Sequence, residues 1–216
     1  MTPGGLSYAR VLTPASPRQR SAARRMAALA ASVPSAADLV LVGDSLAAGW
    51  PADLLARAAP DGAVFNFGLP GDRIQNTLWR LGEGSVAHLR PRLVLVVLGT
   101  NNLGDGDPPG AVVEGLREVA RVARRLWEEP DLILMTLPWR QTKDRQREAA
   151  RLWINAALHS VSASLGRTRL IDADSVLGSG DEATTCLEGD GIHLNRAGHE
   201  RLTAAIVRQL GPLHGS

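Results

Sequence analysis

Five residues of this chain could carry out acyl transfer if the fold brought them together: Ser45, Gly71, Asn101, Asp190 and His193. They lie in four short segments, Gly43-Asp44-Ser45, Gly71-Asp72, Gly99-Thr100-Asn101-Asn102 and Asp190-Gly191-Ile192-His193. The chemistry needs a nucleophilic hydroxyl, a base to take its proton, a group to orient that base, and donors for the negative charge of a tetrahedral intermediate. Ser45 offers the hydroxyl and His193 the base. Asp190 precedes His193 in a loop containing Gly189 and Gly191, so one turn can bring its carboxylate to Nδ1 and leave Nε2 for the Ser45 proton. The side-chain amide of Asn101 and the backbone N–H groups of Gly71 and Ser45 would form a three-donor oxyanion hole. Activity is expected to rise with pH as the imidazole gives up its proton. Leu46, Trp50, Leu103, Trp139 and Ile192 adjoin these motifs and are the expected pocket walls. Bulky walls beside the serine favour a short acyl group such as acetyl.

Taken singly, each segment reads as an ordinary turn, so its place along the chain decides. Near-continuous apolar runs at Leu39–Val42, Ala63–Asn66, Leu93–Leu98, Leu132–Thr136 and Arg169–Ile171 are predicted strands buried on both faces of a parallel sheet. Helices are predicted at Pro17–Ser32, Pro51–Ala59, Ile74–Leu81, Pro109–Trp127, Asp144–Leu165 and Arg196–Leu210, the fourth carrying an apolar stripe from Val112 to Leu126 at helical spacing. Strands alternating with helices argue a three-layer α/β/α sandwich around about five parallel strands. Ser45 then follows the first strand, Gly71 the second and Asn101 the third, at the carboxyl ends where such sheets bind ligands. Residues 1–16, with Pro3, Gly4, Gly5 and Pro14, read as an irregular arm, and 17–212 as a single domain.

Composition narrows the classes. A chain of 216 residues, 44% hydrophobic, can bury a sizeable core. Its pI near 9.3 reflects arginine, since Lys143 is the only lysine and the net charge is +2. Acidic residues interrupt the basic run Arg140 to Arg151, which argues against nucleic acid as a partner. Cys186 stands alone, so an intrachain disulfide is excluded, as is a cysteine cluster for a metal. No apolar run approaches a membrane span. Arg24-Arg25 followed by Met26 to Val33 and Ser35-Ala36-Ala37 imitates a signal peptide, but cleavage there would fall just before the first core strand. A cytoplasmic protein is the expectation, with secretion as the alternative. The sharp elbow Gly-x-Ser-x-Gly does not surround Ser45, and neither Gly-x-Gly-x-x-Gly nor Gly-x-x-x-x-Gly-Lys follows a strand, so nucleotide binding is disfavoured.

The four blocks resemble the SGNH hydrolases, also called GDSL esterases or lipases, whose serine, glycine, asparagine and histidine are matched by Ser45, Gly71, Asn101 and His193. Asn66 to Asp72, Gln75 to Leu81, His88-Leu89-Arg90-Pro91 and Gly99 to Asn102 are similar to the intracellular platelet-activating factor acetylhydrolase catalytic subunits. The likeness runs from about Arg24 to Leu210 and thins at the N-terminal arm and at Gly178 to Glu188, segments that could cover the pocket. Asn102 stands where many members have aspartate, although this branch also has asparagine. The resemblance implies a flavodoxin-like sheet of order 2-1-3-4-5, a triad of Ser45, Asp190 and His193, and no metal or cofactor. It also implies that the helix before the first strand belongs to the fold, and it allows a homodimer. The expected activity is hydrolysis of short-chain, above all acetyl, esters through an acyl-enzyme. A carbohydrate O-acetylesterase, or a lysophospholipase or thioesterase, would use the same fold, and a catalytically silent binding module is the alternative from another class.

Overall fold

The computed structural model describes residues 3–17 and 20–210. Five parallel strands, β1 (Leu39–Gly43), β2 (Val64–Gly68), β3 (Leu93–Val97), β4 (Asp131–Met135) and β5 (Thr168–Ile171), form one sheet in the order β2-β1-β3-β4-β5. Leu39 is level with Val64 on one side and Leu93 on the other, and the register runs unbroken to Gly43. Every residue of β1 and β3 is buried, which is why these strands read as continuous apolar runs rather than alternating ones.

Alternation still decides where each side chain goes. Val40, Val42, Val94, Val96, Leu132 and Leu134 face one core, filled from α5 (Ile74–Gly82), α7 (Pro109–Leu126) and α8 (Arg145–Ser164). Leu39, Leu41, Leu93, Leu95, Ile133 and Met135 face the other, filled from α3 (Ser45–Ala48), α4 (Ala52–Ala56), α9 (Ala173–Leu177) and α11 (Arg196–Leu210). The short helices α6 (Thr100–Gly104) and α10 (Asp181–Thr184) complete the loops at the carboxyl end of the sheet. The chain is therefore the three-layer sandwich that the alternation of elements predicts.

The N-terminal segment corrects that reading. Residues 3–12 are not irregular: α1 (Pro3–Leu12) is a helix lying on α7, with Val11 fully buried beside Gly115 and the Tyr8 hydroxyl against Gly110. Proline is tolerated in a first helical turn, and packing overrides the roughly 1 kcal/mol per residue by which Gly4 and Gly5 disfavour a helix. The helix predicted at Pro17–Ser32 is α2 (Arg20–Ala31), with Leu29 and Val33 packed against the first core. Residues 18 and 19 of that prediction lie outside the described residues.

Crossovers make a gap at one point of the sheet. The connection from β1 to β2 passes over the face holding α3 and α4, and the next returns by way of α5 on the opposite face. The side on which the connections cross thus switches between β1 and β3, opening a crevice beyond their carboxyl ends. Ser45 and Asn101 flank that crevice.

Candidate active site

Ser45 is the first residue of a four-residue helix, α3, that starts directly on the end of β1. The predicted helix opening at Pro51 is a separate, shorter one, α4, so the serine is held by a nearer element than expected. Asp44 caps α3, its Oδ1 accepting the Leu46 N–H at 2.9 Å. Asn66 fastens the same turn to β2: its Nδ2 donates to the Ala47 carbonyl at 2.8 Å and its Oδ1 accepts the Gly68 N–H at 2.9 Å. The seat is tight. A Cβ on Gly43 would lie 2.0 Å from the Val97 carbonyl oxygen and 2.7 Å from the Ala47 Cβ, so only glycine lets the end of β1 lie against both β3 and α3.

His193 comes from the loop before α11 and meets the serine at 2.8 Å, Nε2 to Oγ. Its Nδ1 lies 2.5 Å from Asp190 Oδ2. Asp190 Oδ1 accepts the backbone N–H groups of Ile192 and His193, both at 2.9 Å. Those three hydrogen bonds, the imidazole's first, hold the Asp190 carboxyl down at about 2. An ionised carboxylate on Nδ1 keeps the proton on that nitrogen, so Nε2 accepts the Ser45 hydroxyl proton. The loop itself is braced by Asn195, which donates to the carbonyls of Thr185 and Leu187 and accepts from the Gly198 N–H.

The two remaining candidates are tied to one another. Gly71 has φ +83 and open space where a Cβ would project; glycine takes that backbone conformation without strain. Asn101 donates one Nδ2 hydrogen to the Asp72 carbonyl at 2.8 Å, which fixes the amide beside the Gly71 turn. One amide hydrogen remains for another acceptor. Beneath the turn, the Asp72 carboxylate receives Arg80 Nε at 2.8 Å and the Thr77 hydroxyl at 2.9 Å. Arg80 also donates to the Phe67 carbonyl at 3.0 Å and lies 4.2 Å from the Phe67 ring centroid. Burial raises Asp72, and Arg80 opposes the rise. Asn102, fully buried, accepts the Ile74 N–H at 2.9 Å and donates to Gln75 and Asp107; it locks α6 against α5.

Sequence reasoning assigned no role to Asn66, Asp72, Arg80 or the buried Asp44 carboxylate, although Asp directly before a helix is a recognisable cap signal. The expected walls fare differently. Leu46 and Trp50 belong to one core and Leu103 to the other, each no more than 4% exposed. The Trp50 indole donates to Thr203 Oγ1 at 3.1 Å and meets His199 edge-on, both on α11. Adjacency in sequence misled here because successive helical side chains diverge by about 100°. Trp139 and Ile192 remain half-buried, and Trp139 lines a recess with Gln141, Lys143 and Gly180. Beside Gly71 and Asn101 runs a separate cleft of about 490 Å³, walled by the segment after α1 and by α2. Among the described residues, no group of three His, Cys, Asp or Glu side chains could hold a metal ion, and no helix is long and apolar enough to cross a membrane.

A serine, histidine and aspartate in hydrogen-bonded series at the switch point of a flavodoxin-like sheet define the SGNH class of hydrolase fold. Residues 41–201 match the family described as GDSL-like lipase/acylhydrolase, and the chain belongs to that family. Human platelet-activating factor acetylhydrolase IB subunit alpha1 is 29% identical over 145 residues, covering 66% of this chain and 62% of that protein. The chain thus spans less than two thirds of the length of such curated relatives. The crystal structure of a lipase/acylhydrolase from Enterococcus faecalis superposes with a TM-score of 0.63 at 27% identity, covering 80% of this chain and 94% of that one. An acetylxylan esterase from Geobacillus stearothermophilus shares the fold at 18% identity, with a TM-score of 0.63 over 80% of this chain and 93% of its own.

Proposed function

We propose that this protein is a serine ester hydrolase that removes a short acyl group, acetyl foremost, through an acyl-enzyme. The observation that carries the reading is the unbroken series from Asp190 through His193 to Ser45, with links of 2.5 and 2.8 Å. Ser45 Oγ attacks the ester carbonyl carbon while His193 Nε2 takes the hydroxyl proton. The carbonyl oxygen becomes an oxyanion that the N–H groups of Ser45 and Gly71 and the Asn101 amide stabilise. The carbon–oxygen bond to the alcohol then breaks, and His193 returns the proton to the departing oxygen. Water attacks the acyl-serine in turn, giving its proton to His193, and the acid leaves as Ser45 regains its hydrogen. Asp190 stays ionised throughout, orienting the imidazole and balancing its positive charge.

One consideration favours a short acyl group. The names of the human relative and the Geobacillus esterase both specify acetyl. The test is hydrolysis of p-nitrophenyl esters from acetyl to decanoyl by wild-type protein and Ser45→Ala. Turnover that peaks at acetyl or butyryl and vanishes in the variant is the expected result. A peak at long chains would keep the mechanism and refute the acyl preference. Equal rates in the two proteins would refute the reading and leave a binding module.

A further inference from the structure

The cleft beside the oxyanion donors carries a charge that the hydrolytic mechanism leaves unused. Its outer wall is built rather than incidental: Asn76 Nδ2 donates to the Ala15 carbonyl at 2.8 Å, and the Ala15 N–H donates to the Gln75 carbonyl at 3.0 Å. These two bonds clamp the segment after α1 onto α5, with Ser16, Pro17 and the α2 residues Ala22 and Arg25 closing the far side. The inner wall is Pro70, Gly71 and Asn101. A volume of about 490 Å³ suits one small molecule.

Three arginines line this space, and two are neutralised. Arg10 pairs with Asp107, and Arg73 forks onto Asp105 through Nε and Nη2, the latter at 3.0 Å. Asp72 faces the buried Arg80 instead of the cleft. Arg25 is the exception: its one recorded contact is Nη2 to the Pro70 carbonyl at 3.5 Å, and no acid pairs with it among the described residues. The residues outside that range cannot supply one from a side chain, since the first acidic residue of the chain is Asp38 and the last six contain none. Residues 1–37 instead hold five arginines, Arg10, Arg18, Arg20, Arg24 and Arg25. The sequence before β1 therefore carries basic side chains and no acidic one before Asp38, unlike the mixed-charge remainder of the chain.

We propose that this cleft receives the alcohol part of the substrate and that this part carries an anionic group, a carboxylate or a phosphate, which Arg25 binds. The inference rests on the ester-hydrolase reading, because Gly71 and Asn101 join the cleft to the reacting carbonyl. A planar guanidinium with most of its five donors unpaired matches either oxyanion. Its place at the cleft rim makes it a specificity residue rather than a catalytic one. The acyl transfer is unchanged: water enters, the acid and the anion-bearing alcohol leave, and the anionic group itself does not react.

The experiment compares acetyl esters with and without an anionic group. One pair is para-acetoxybenzoate and its neutral methyl ester; the other is an acetylated glycerol phosphate and acetylglycerol. Wild-type protein should prefer the anionic member, and Arg25→Gln should reduce that preference by about three- to tenfold through KM, as expected for an exposed charge-assisted hydrogen bond. Arg25→Lys should keep most of it, and added salt should carry the wild type toward the Arg25→Gln value. Preference confined to one pair would identify carboxylate or phosphate as the group. A wild type without charge preference would overturn the proposal, as would an Arg25→Gln variant slowed equally on both members of a pair. Binding of para-acetoxybenzoate to Ser45→Ala, followed by NMR titration, separates the two readings. Arg25-dependent binding without wild-type hydrolysis would sink the esterase reading and keep the subsite; hydrolysis with binding indifferent to Arg25 would do the reverse.

Discussion

Replacing Asp44 by asparagine is expected to make the protein's stability less sensitive to pH, and the structure sets the size of the effect. Asp44 is fully buried beneath Ser45, with Oδ1 on the Leu46 N–H and Oδ2 without a partner. Burial first, and the neighbouring Asp72 carboxylate second, raise its pKa from 3.8 to about 7, against the pull of the Leu46 and Gly99 N–H groups and of His193. The native state therefore holds a proton between pH 3.8 and about 7 that the unfolded chain has released. More protons bound in the native state means stability that falls as pH rises through this window, then levels off. Over the whole window the loss is on the order of 4 kcal/mol, and between pH 5 and pH 9 about 3 kcal/mol remains. The asparagine of the Asp44→Asn variant would keep an oxygen for the Leu46 N–H and have no charge to bury. Urea unfolding of both proteins at pH 5 and pH 9, with midpoints and slopes fitted together, reads the difference directly. The variant should gain about 3 kcal/mol on the wild type between the two pH values. A difference that stays constant within about 0.5 kcal/mol would refute the argument, because it would mean that Asp44 does not change its charge in this range.

Two further outcomes follow from the site. Asn101→Ala should lower kcat on p-nitrophenyl acetate by about 10²–10³ with little change in KM, the loss typical of one oxyanion donor; a loss under about fivefold would exclude the amide from that role. Arg80→Met should cost about 3–5 kcal/mol in urea unfolding near neutral pH, because it strands the Asp72 carboxylate inside the protein. Asp72→Asn in the same chain should recover part of that, and a loss below about 1 kcal/mol would show that the pair is not desolvated.

Much of the fold was legible because buried parallel strands are written as unbroken apolar runs. The bounds predicted for Leu39–Val42 and Leu93–Leu98 differ from β1 and β3 by one residue. Helix α7 was equally legible, its stripe from Val112 to Leu126 being buried as far as Ala123 and half-buried at Leu126. Helix α1 was hidden because its glycines and proline argue locally for a loop, and only docking on α7 outweighs them. At the site, residue types and chain order sufficed to nominate Ser45, Asp190 and His193, since hydroxyl, carboxylate and imidazole are rarely interchangeable in such work. The pocket walls were not legible. Direction is lost in a one-dimensional string, and Leu46, Trp50 and Leu103 point into the two cores. The Asp72–Arg80 pair escaped notice for a related reason: eight positions apart on a turn and a helix, the two charges read as surface residues until packing buries them.

The site is assembled from parts of very different firmness. Ser45 follows directly on β1, a fully buried interior strand, and on a cap that water does not reach, whereas His193 and Asp190 sit on a peripheral loop with side chains 43% and 49% exposed. Proteins open piecemeal, and weakly packed loops open first. Opening of residues 188–193, between the buried Leu187 and Leu194, would break the link between the imidazole and the hydroxyl while leaving the five-stranded sheet intact. Warming or mild denaturant would then silence the chemistry reversibly, well before the fold dissolves. The loop would then set the temperature range of the proposed chemistry, and the sheet the melting temperature.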